Sequence, residues 1–324
     1  MPDSLRGDAT IRYQGSFGSA GLIQNDEKVG MRRISSHEIT VDIEFAPVTG
    51  VSVYAKIPHT VAYTVTFPES YQMNVDPATG FGRYMINEAA NGDITRKGSG
   101  SPGVWMGVGL APYAERFKKK HQITWRLDLA FRTQAKRTFW ETDEAGDRGV
   151  SQGGTGWHIG GAFSADNGRS RPFMSADWIM ETRRPVQVTV DETPVEIQTR
   201  PGSSLKLRTG VELVIVPQRT ETSPEPYLEA SAGFGYRSWS DIPSGVLLPT
   251  VLESSRDNPV TRADYLTAQV QMAFGVRFLP WAQWRVDGLA VYRTPHIIED
   301  VYAVRTSADA IEFGISSSLS IGYR

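Results

Sequence analysis

The residues of this chain that could do chemistry are charged, and they recur at even spacings. Asp42 is followed by Glu44, Arg126 by Asp128 and Arg132, Asp177 by Glu181, and Lys206 by Arg208 and Glu212. An even spacing puts side chains on one face of a β-strand, whereas a helix would need intervals of three and four. Lys56, Glu229, Arg277 and Arg285 fall in the same phase of their own alternating segments. Two roles suit such faces. They can line a hydrated pathway and bind a polar solute, or they can pair across an interior and brace it.

Other chemistries find less support. The histidines are His37, His59, His121, His158 and His296, and no two stand at a metal-ligand spacing such as HExxH. His158 shares the phase of the charged set beside Trp157, as a hydrogen-bonded structural histidine would, and His37 and His121 sit at expected strand ends. Gly153-Gly154-Thr155-Gly156 lacks the strand-to-helix context of a phosphate cradle and reads as loop. There is no cysteine, so neither disulfides nor thiolate metal sites can form. No metal or other cofactor is expected.

The elements that must carry the charges are strands. Residues 310–324, AIEFGISSSLSIGYR, place Ile311, Phe313, Ile315, Leu319, Ile321 and Tyr323 on one face and Glu312, the glycines and most of the serines on the other. Leu266 to Phe278, Ile123 to Phe131 and Leu205 to Ile215 alternate in the same way. Twelve such segments are expected, at about 9–17, 37–46, 50–66, 103–112, 121–132, 156–165, 172–182, 203–217, 226–237, 264–278, 282–293 and 310–323. Their connections alternate in length. Short ones fall at 46–49, 111–120, 166–171, 217–225 and 279–281. Long ones fall at 18–36, 67–102, 133–155, 183–202, 238–263 and 294–309. Asp166-Asn167-Gly168 suits a tight hairpin, because Asn-Gly tolerates positive φ.

Composition narrows the setting. The chain has 324 residues and a formal net charge of -2, which offers no strong field for nucleic acid. Mean hydropathy is -0.31 and no run of 18 apolar residues exists, which excludes a membrane-spanning helix but not a strand barrel. The opening MPDSLRGD has no basic n-region or apolar h-region, as expected of a chain from which a signal peptide has been removed. The apolar faces of the twelve segments carry no Lys, Arg, Asp or Glu, although 22% of the chain is charged. The opposite faces mix charge with Gly, Ser and Ala, which suit the crowded concave side of a closed sheet. Trp125, Trp157, Trp178, Trp281 and Trp284 fall near segment ends, where interface girdles form. Trp105 falls in the inward phase instead.

With these features the chain resembles the outer-membrane β-barrel proteins of Gram-negative bacteria, porins and channels among them. The resemblance rests on the strand pattern and the AIEFGISSSLSIGYR ending. The family usually ends on an aromatic residue, whereas here Arg324 follows Tyr323. It implies an all-β fold: a closed, antiparallel transmembrane barrel of about twelve strands, one domain over residues 1–324, with short periplasmic turns, long extracellular loops and a cell outer membrane location. One barrel family, a phospholipase, carries a His-x-Ser-Asn-Gly-like motif. This chain has Ala162-Phe163-Ser164-Ala165-Asp166-Asn167-Gly168. Position 162 is alanine, and a serine without an imidazole is a weak nucleophile, so no enzyme is expected.

The expected function is a passive channel or uptake pore for a small polar or amphipathic solute. The lumen would be lined by Asp42, Lys56, Arg126, Asp128, Arg132, Asp177, Glu181, Lys206, Arg208, Glu212, Glu229, Arg277 and Arg285. Acid dominates the second and seventh segments and base the eighth, so a transverse separation of charge is expected. The alternative is a closed structural barrel that docks other envelope proteins through its loops or turns. Membrane lipid and lipopolysaccharide are the expected surroundings, a small solute or an envelope protein the partner, and nucleic acid is not.

Overall fold

Alternating segments become a structure by pairing with their neighbours. A computed structural model of the chain describes residues 6–24, 27–67, 71–75, 82–86, 94–113, 123–137, 149–150, 154–182, 184–190, 193–199, 202–217, 223–238, 264–279, 281–301 and 304–323. It holds β1 (Arg6–Gln24), β2 (Glu27–Val48), β3 (Val51–Phe67), β4 (Tyr71–Val75), β5 (Gly82–Ile86), β6 (Ile94–Gly100), β7 (Trp105–Tyr113), β8 (Ile123–Arg132), β9 (Gly156–Ala165), β10 (Ser170–Glu181), β11 (Arg184–Val190), β12 (Thr193–Thr199), β13 (Ser204–Val214), β14 (Glu225–Arg237), β15 (Tyr265–Leu279), β16 (Ala282–Val301) and β17 (Val304–Tyr323). Among the described residues there is no helix.

Twelve of these strands close a ring. From β1 the order runs β17, β16, β15, β14, β13, β10, β9, β8, β7, β3 and β2, and β2 pairs back to β1. The closing pairs are antiparallel, Gly7 opposite Tyr323 and Arg6 opposite Ala46. Closure removes the exposed sheet edges that a lipid environment would not tolerate. The tight turns lie at one end. Gly50 takes φ 81° between β2 and β3, and Gly168 takes φ 79° between β9 and β10, where its N–H donates to Asp166 Oδ1 at 2.8 Å.

The twelve expected segments correspond one to one with the ring strands. The long connections differ. Residues 18–36 and 294–309 were expected to be loops, yet β1 runs to Gln24 before β2 resumes at Glu27, and β16 runs to Val301 before β17 resumes at Val304. Outside the apolar belt neither face has to be apolar, so alternation fades through Gly18-Ser19-Ala20-Gly21 while the backbone ladder continues. The wall is therefore tall along β16, β17, β1 and β2, at 19–22 residues, and short along β7 to β10, at 9–12. The expected turn at 114–120 and the loop at 239–263 lie outside the described residues, as do His121 and Arg324.

Inside 67–102 and 183–202, hairpins β4–β5 and β11–β12 pair only with themselves among the described residues. β6 continues the line of β7. Thr60–Phe67 of β3 pairs with β6, and Val51–Lys56 with β7. The break between them is pinned. Ser101 Oγ donates to the Pro58 carbonyl at 2.9 Å, and the Val104 N–H donates to Thr133 Oγ1 at 2.9 Å. Gly103 sits there at φ 110°, and a Cβ on it would lie 2.2 Å from the Thr133 carbonyl oxygen. Only glycine meets both demands.

Burial is inverted relative to a water-soluble domain. Leu127 and Leu129 are each 54% exposed and Met272 72%, all on the outer face. The inward face holds the buried polar groups, among them Thr40, Ser52, Thr60, Glu229 and Asp287, beside small residues such as Ala130 and Ala273. A convex apolar surface around a polar interior has its free-energy minimum in lipid. On β14 the outer face runs from Pro226 to Tyr236, about 34 Å along the strand. At a tilt of about 40° that covers roughly the 25 Å height of a lipid-facing band. Trp125 and Trp284 mark the turn end of this band, and Trp157, Trp178 and Tyr236 the loop end, all exposed. His37, expected at a strand end, lies within β2 on the outer face, where its Nδ1 is 2.7 Å from the Tyr13 hydroxyl.

Candidate functional site

The site is the lumen, and ladder register fixes what enters it. Asp42 stands opposite Lys56, Asp177 opposite Lys206, Glu212 opposite Glu229, and Arg277 opposite Glu225. Gly109 faces Asp128, and Trp105 faces Arg132. Arg126, Glu181, Arg208 and Arg285 complete the set in the same phase, so all thirteen sequence candidates point inward. Glycine makes room for the large ones. A Cβ on Gly109 would lie 2.9 Å from Arg126 Nη2, and one on Gly275 would lie against the Tyr227 ring.

The structure then brings these groups together by sign. Arg126 donates from Nε to both oxygens of Asp128, at 2.8 and 2.9 Å, and from Nη1 to Glu44, at 3.0 and 3.1 Å. Its guanidinium also lies 5.8 Å from the centre of the Tyr54 ring. Towards the loop end Arg132 donates to Glu181 at 3.0 Å and rests 5.4 Å over Trp105. Arg132 Nε and Glu181 Oε2 are left buried without partners. His158 Nε2 is 2.9 Å from Asp177 Oδ1, as a structural histidine would be.

On the opposite wall two networks form. Near the turns, Arg171 and Arg277 both hold Glu212 and Glu225, and Arg277 lies 4.3 Å over the ring of Tyr227. Deeper in, Glu229 accepts from Arg208 and Arg285, while Asp287 accepts from Arg285, from Gln271 at 2.7 Å and from Ser316 at 3.0 Å. Each of these carboxylates is met by at least one guanidinium, which offsets the cost of taking it out of bulk water.

The expected transverse separation of charge is not what the side chains do. Glu44 of β2 reaches Arg126 of β8, and Arg208 of β13 reaches Glu229 of β14, so opposite charges meet within a wall rather than facing each other across the lumen. Among the described residues, Arg12, Lys56, Lys206, Glu38 and Asp42 form no ion pair, although Glu38 accepts from Thr40 at 2.8 Å. Two of these five, Arg12 and Asp42, line one cavity of about 370 Å³. The same cavity touches Arg208 and Arg285, and much of the rest of its wall is amide and hydroxyl: Gln14, Gln271, Gln283 and Ser316, Ser318 and Ser320.

Sequence reasoning missed Arg171, Glu225 and Arg293. The first two fall one residue outside the expected segments at 172 and 226, yet both keep the inward phase and close the turn-end network. Arg293 pairs with Glu312 near the loop end. Ser164 faces inward opposite Thr124 and Phe173, with Ala162 two residues before it. His158 lies six residues along the same strand and is engaged by Asp177, out of reach of that hydroxyl.

No protein-family model matches the chain, and no curated protein does. Among solved structures it superposes on an outer membrane channel from Pseudomonas putida F1 with a TM-score of 0.56 and 11% identity, covering 100% of this chain and 97% of that one. A FadL homologue of Pseudomonas aeruginosa aligns over 99% of this chain and 90% of that chain, at 12% identity and a TM-score of 0.42. The first likeness shows the fold: this is an all-β, closed antiparallel barrel of the kind built by an outer membrane channel.

Proposed function

We propose that the protein is a passive channel in the outer membrane of a Gram-negative bacterium, with its turns in the periplasm and its long loops outside, and that it admits a small polar solute. One observation carries this reading. The lumen keeps a polar cavity of about 370 Å³ in which Arg12 and Asp42 have no ionic partner among the described residues. A barrel that only needed bracing would spend these two charges on each other or on neighbours, because an unpaired charge away from bulk water is costly. Left unpaired beside amides and hydroxyls, they can exchange water for a passing solute. The reaction class is diffusion, with no covalent step and no cofactor.

Purified protein in planar bilayers tests this. Discrete conductance steps are expected, and Arg12→Ala should shift reversal potentials towards cations. Electrically silent bilayers under conditions that insert the protein would replace the channel with a closed docking barrel.

A further inference from the structure

The outer face of the barrel carries a second feature that a channel does not need. Above the apolar belt on the tall side of the wall, two ladder rows change character. One runs Ile311, Ser19, Arg33, Thr66 and Thr95. The next, nearer the belt, runs Phe313, Phe17, Ser35, Thr64 and Lys97. All point outward. Thr66 and Thr95 place their hydroxyls 3.4 Å apart, and Phe17 and Phe313 lie with ring centres 5.9 Å apart. A concavity of about 520 Å³ opens here on Arg33, Phe17, Ile311, Phe313 and the hydroxyls of Ser35 and Thr64. Arg33 and Lys97 are exposed, and neither has an ion pair among the described residues.

We infer that this patch binds the phosphorylated disaccharide headgroup of an outer-leaflet lipid, the lipid A of lipopolysaccharide. The chemistry has three parts. Two cations bracket a run of hydroxyls, which suits two phosphates on a sugar scaffold. Arg33 and Lys97 are two strands and one ladder row apart, about 12 Å by strand spacing and rise. That is the reach of a disaccharide bearing a phosphate at each end, and a glycerophospholipid offers one phosphate. The third part is the apolar floor of Phe17, Ile311 and Phe313, on which an acyl chain can lie below the headgroup. The row beneath, Ile315, Gly15, His37 and Ala62, returns to the apolar belt, so the patch sits where headgroups meet hydrocarbon.

The inference rests on the loop end being the outer end, as proposed above, but not on conduction. The test is thermal unfolding of the full chain in detergent, with and without added lipid. Diphosphoryl lipid A should raise the midpoint of the wild type by several degrees. Dephosphorylated lipid A and phosphatidylglycerol should each give less than half that shift. The double variant Arg33→Ala with Lys97→Ala should lose most of the lipid A shift, whereas Arg169→Ala, which removes an exposed cation at the turn end, should keep it. Equal shifts in wild type and double variant, or equal shifts from phosphatidylglycerol and lipid A, would overturn the site. A silent bilayer recording would sink the channel and leave this result standing.

Discussion

Arg126→Ala should destabilise the barrel more than Arg208→Ala, although both remove one lumenal arginine. The difference lies in what each leaves behind. Among the described residues Arg126 is the one ionic partner of Glu44 and Asp128, whose side chains are 21% and 16% exposed. Removing it strands two carboxylates and exposes the face of Tyr54. Breaking a fully buried pair costs about 3–5 kcal/mol, and a solvent-exposed one about 0–1. The lumen is partly wet, so an intermediate loss of about 2 kcal/mol is expected for Arg126→Ala. Arg208 shares Glu229 with Arg285, which donates to that carboxylate from both terminal nitrogens. Its loss leaves Glu229 paired, and costs the hydrogen bonds to Glu229 and Ser231 and the contact over Phe173, together about 1 kcal/mol in the partly wet lumen. Because the two arginines share no partner, the double variant should lose the sum of the two. Urea titration in lipid vesicles, read by tryptophan fluorescence, measures all three. An Arg208→Ala loss equal to or greater than that of Arg126→Ala would refute the pairing scheme, as would a double variant far from additive.

The same structure makes further demands. Val270→Arg puts a cation on the lipid face and should impair insertion by about 2–4 kcal/mol, whereas Gln271→Arg on the inner face should be far milder; equal losses in the vesicle titration would reverse the assignment of faces. Gly103→Ala places a Cβ 2.2 Å from the Thr133 carbonyl at a positive φ and should cost about 1–3 kcal/mol, while Gly100→Ala, which shares the positive φ at 125° but has open space around it, should cost less. In bilayers Asp42→Asn should move selectivity towards anions and Arg12→Ala towards cations, and shifts of the same sign would contradict their placement in one cavity. Phospholipid or ester turnover that vanishes in Ser164→Ala would overturn the assignment of Ser164 as a wall residue.

How far the sequence carries follows from what lipid enforces. Outer-facing positions in the belt carry no Lys, Arg, Asp or Glu and are mostly apolar, so Leu266, Val270, Phe274, Ile315 and Leu319 announce both strand and phase, and the structure exposes all five. The turns are legible for a local reason, since Asp166-Asn167-Gly168 needs only its own backbone. Where lipid no longer imposes a face, the record ends. The ladder of β1 and β2 beyond Gly18 is held by backbone hydrogen bonds that any residue except proline can make, and period-2 counting does not register them. Arg171 and Glu225 were lost in the same way, at the last residue before a turn.

The lumen itself is only half legible, and the missing half decides its field. Alternation tells which charges enter but not which neighbours they meet, because shear in a closed barrel sets the heights of residues on different strands. Counting by strand makes β2 acidic and β13 basic, which suggests a transverse dipole. The geometry removes most of it: Glu44 crosses two strands to Arg126, and Glu229 takes Arg208 and Arg285 together. Among the described residues, what a solute in the proposed channel would meet is the remainder, Arg12, Lys56 and Lys206 against Glu38 and Asp42. That excess of one cation is offset where Arg126 carries two carboxylates on one guanidinium, so the proposed channel should discriminate little between anions and cations, and salt should weaken what preference remains as it screens wall charges facing water. In the proposed channel the paired networks brace the wall, and the few charges they leave over would act on a passing solute.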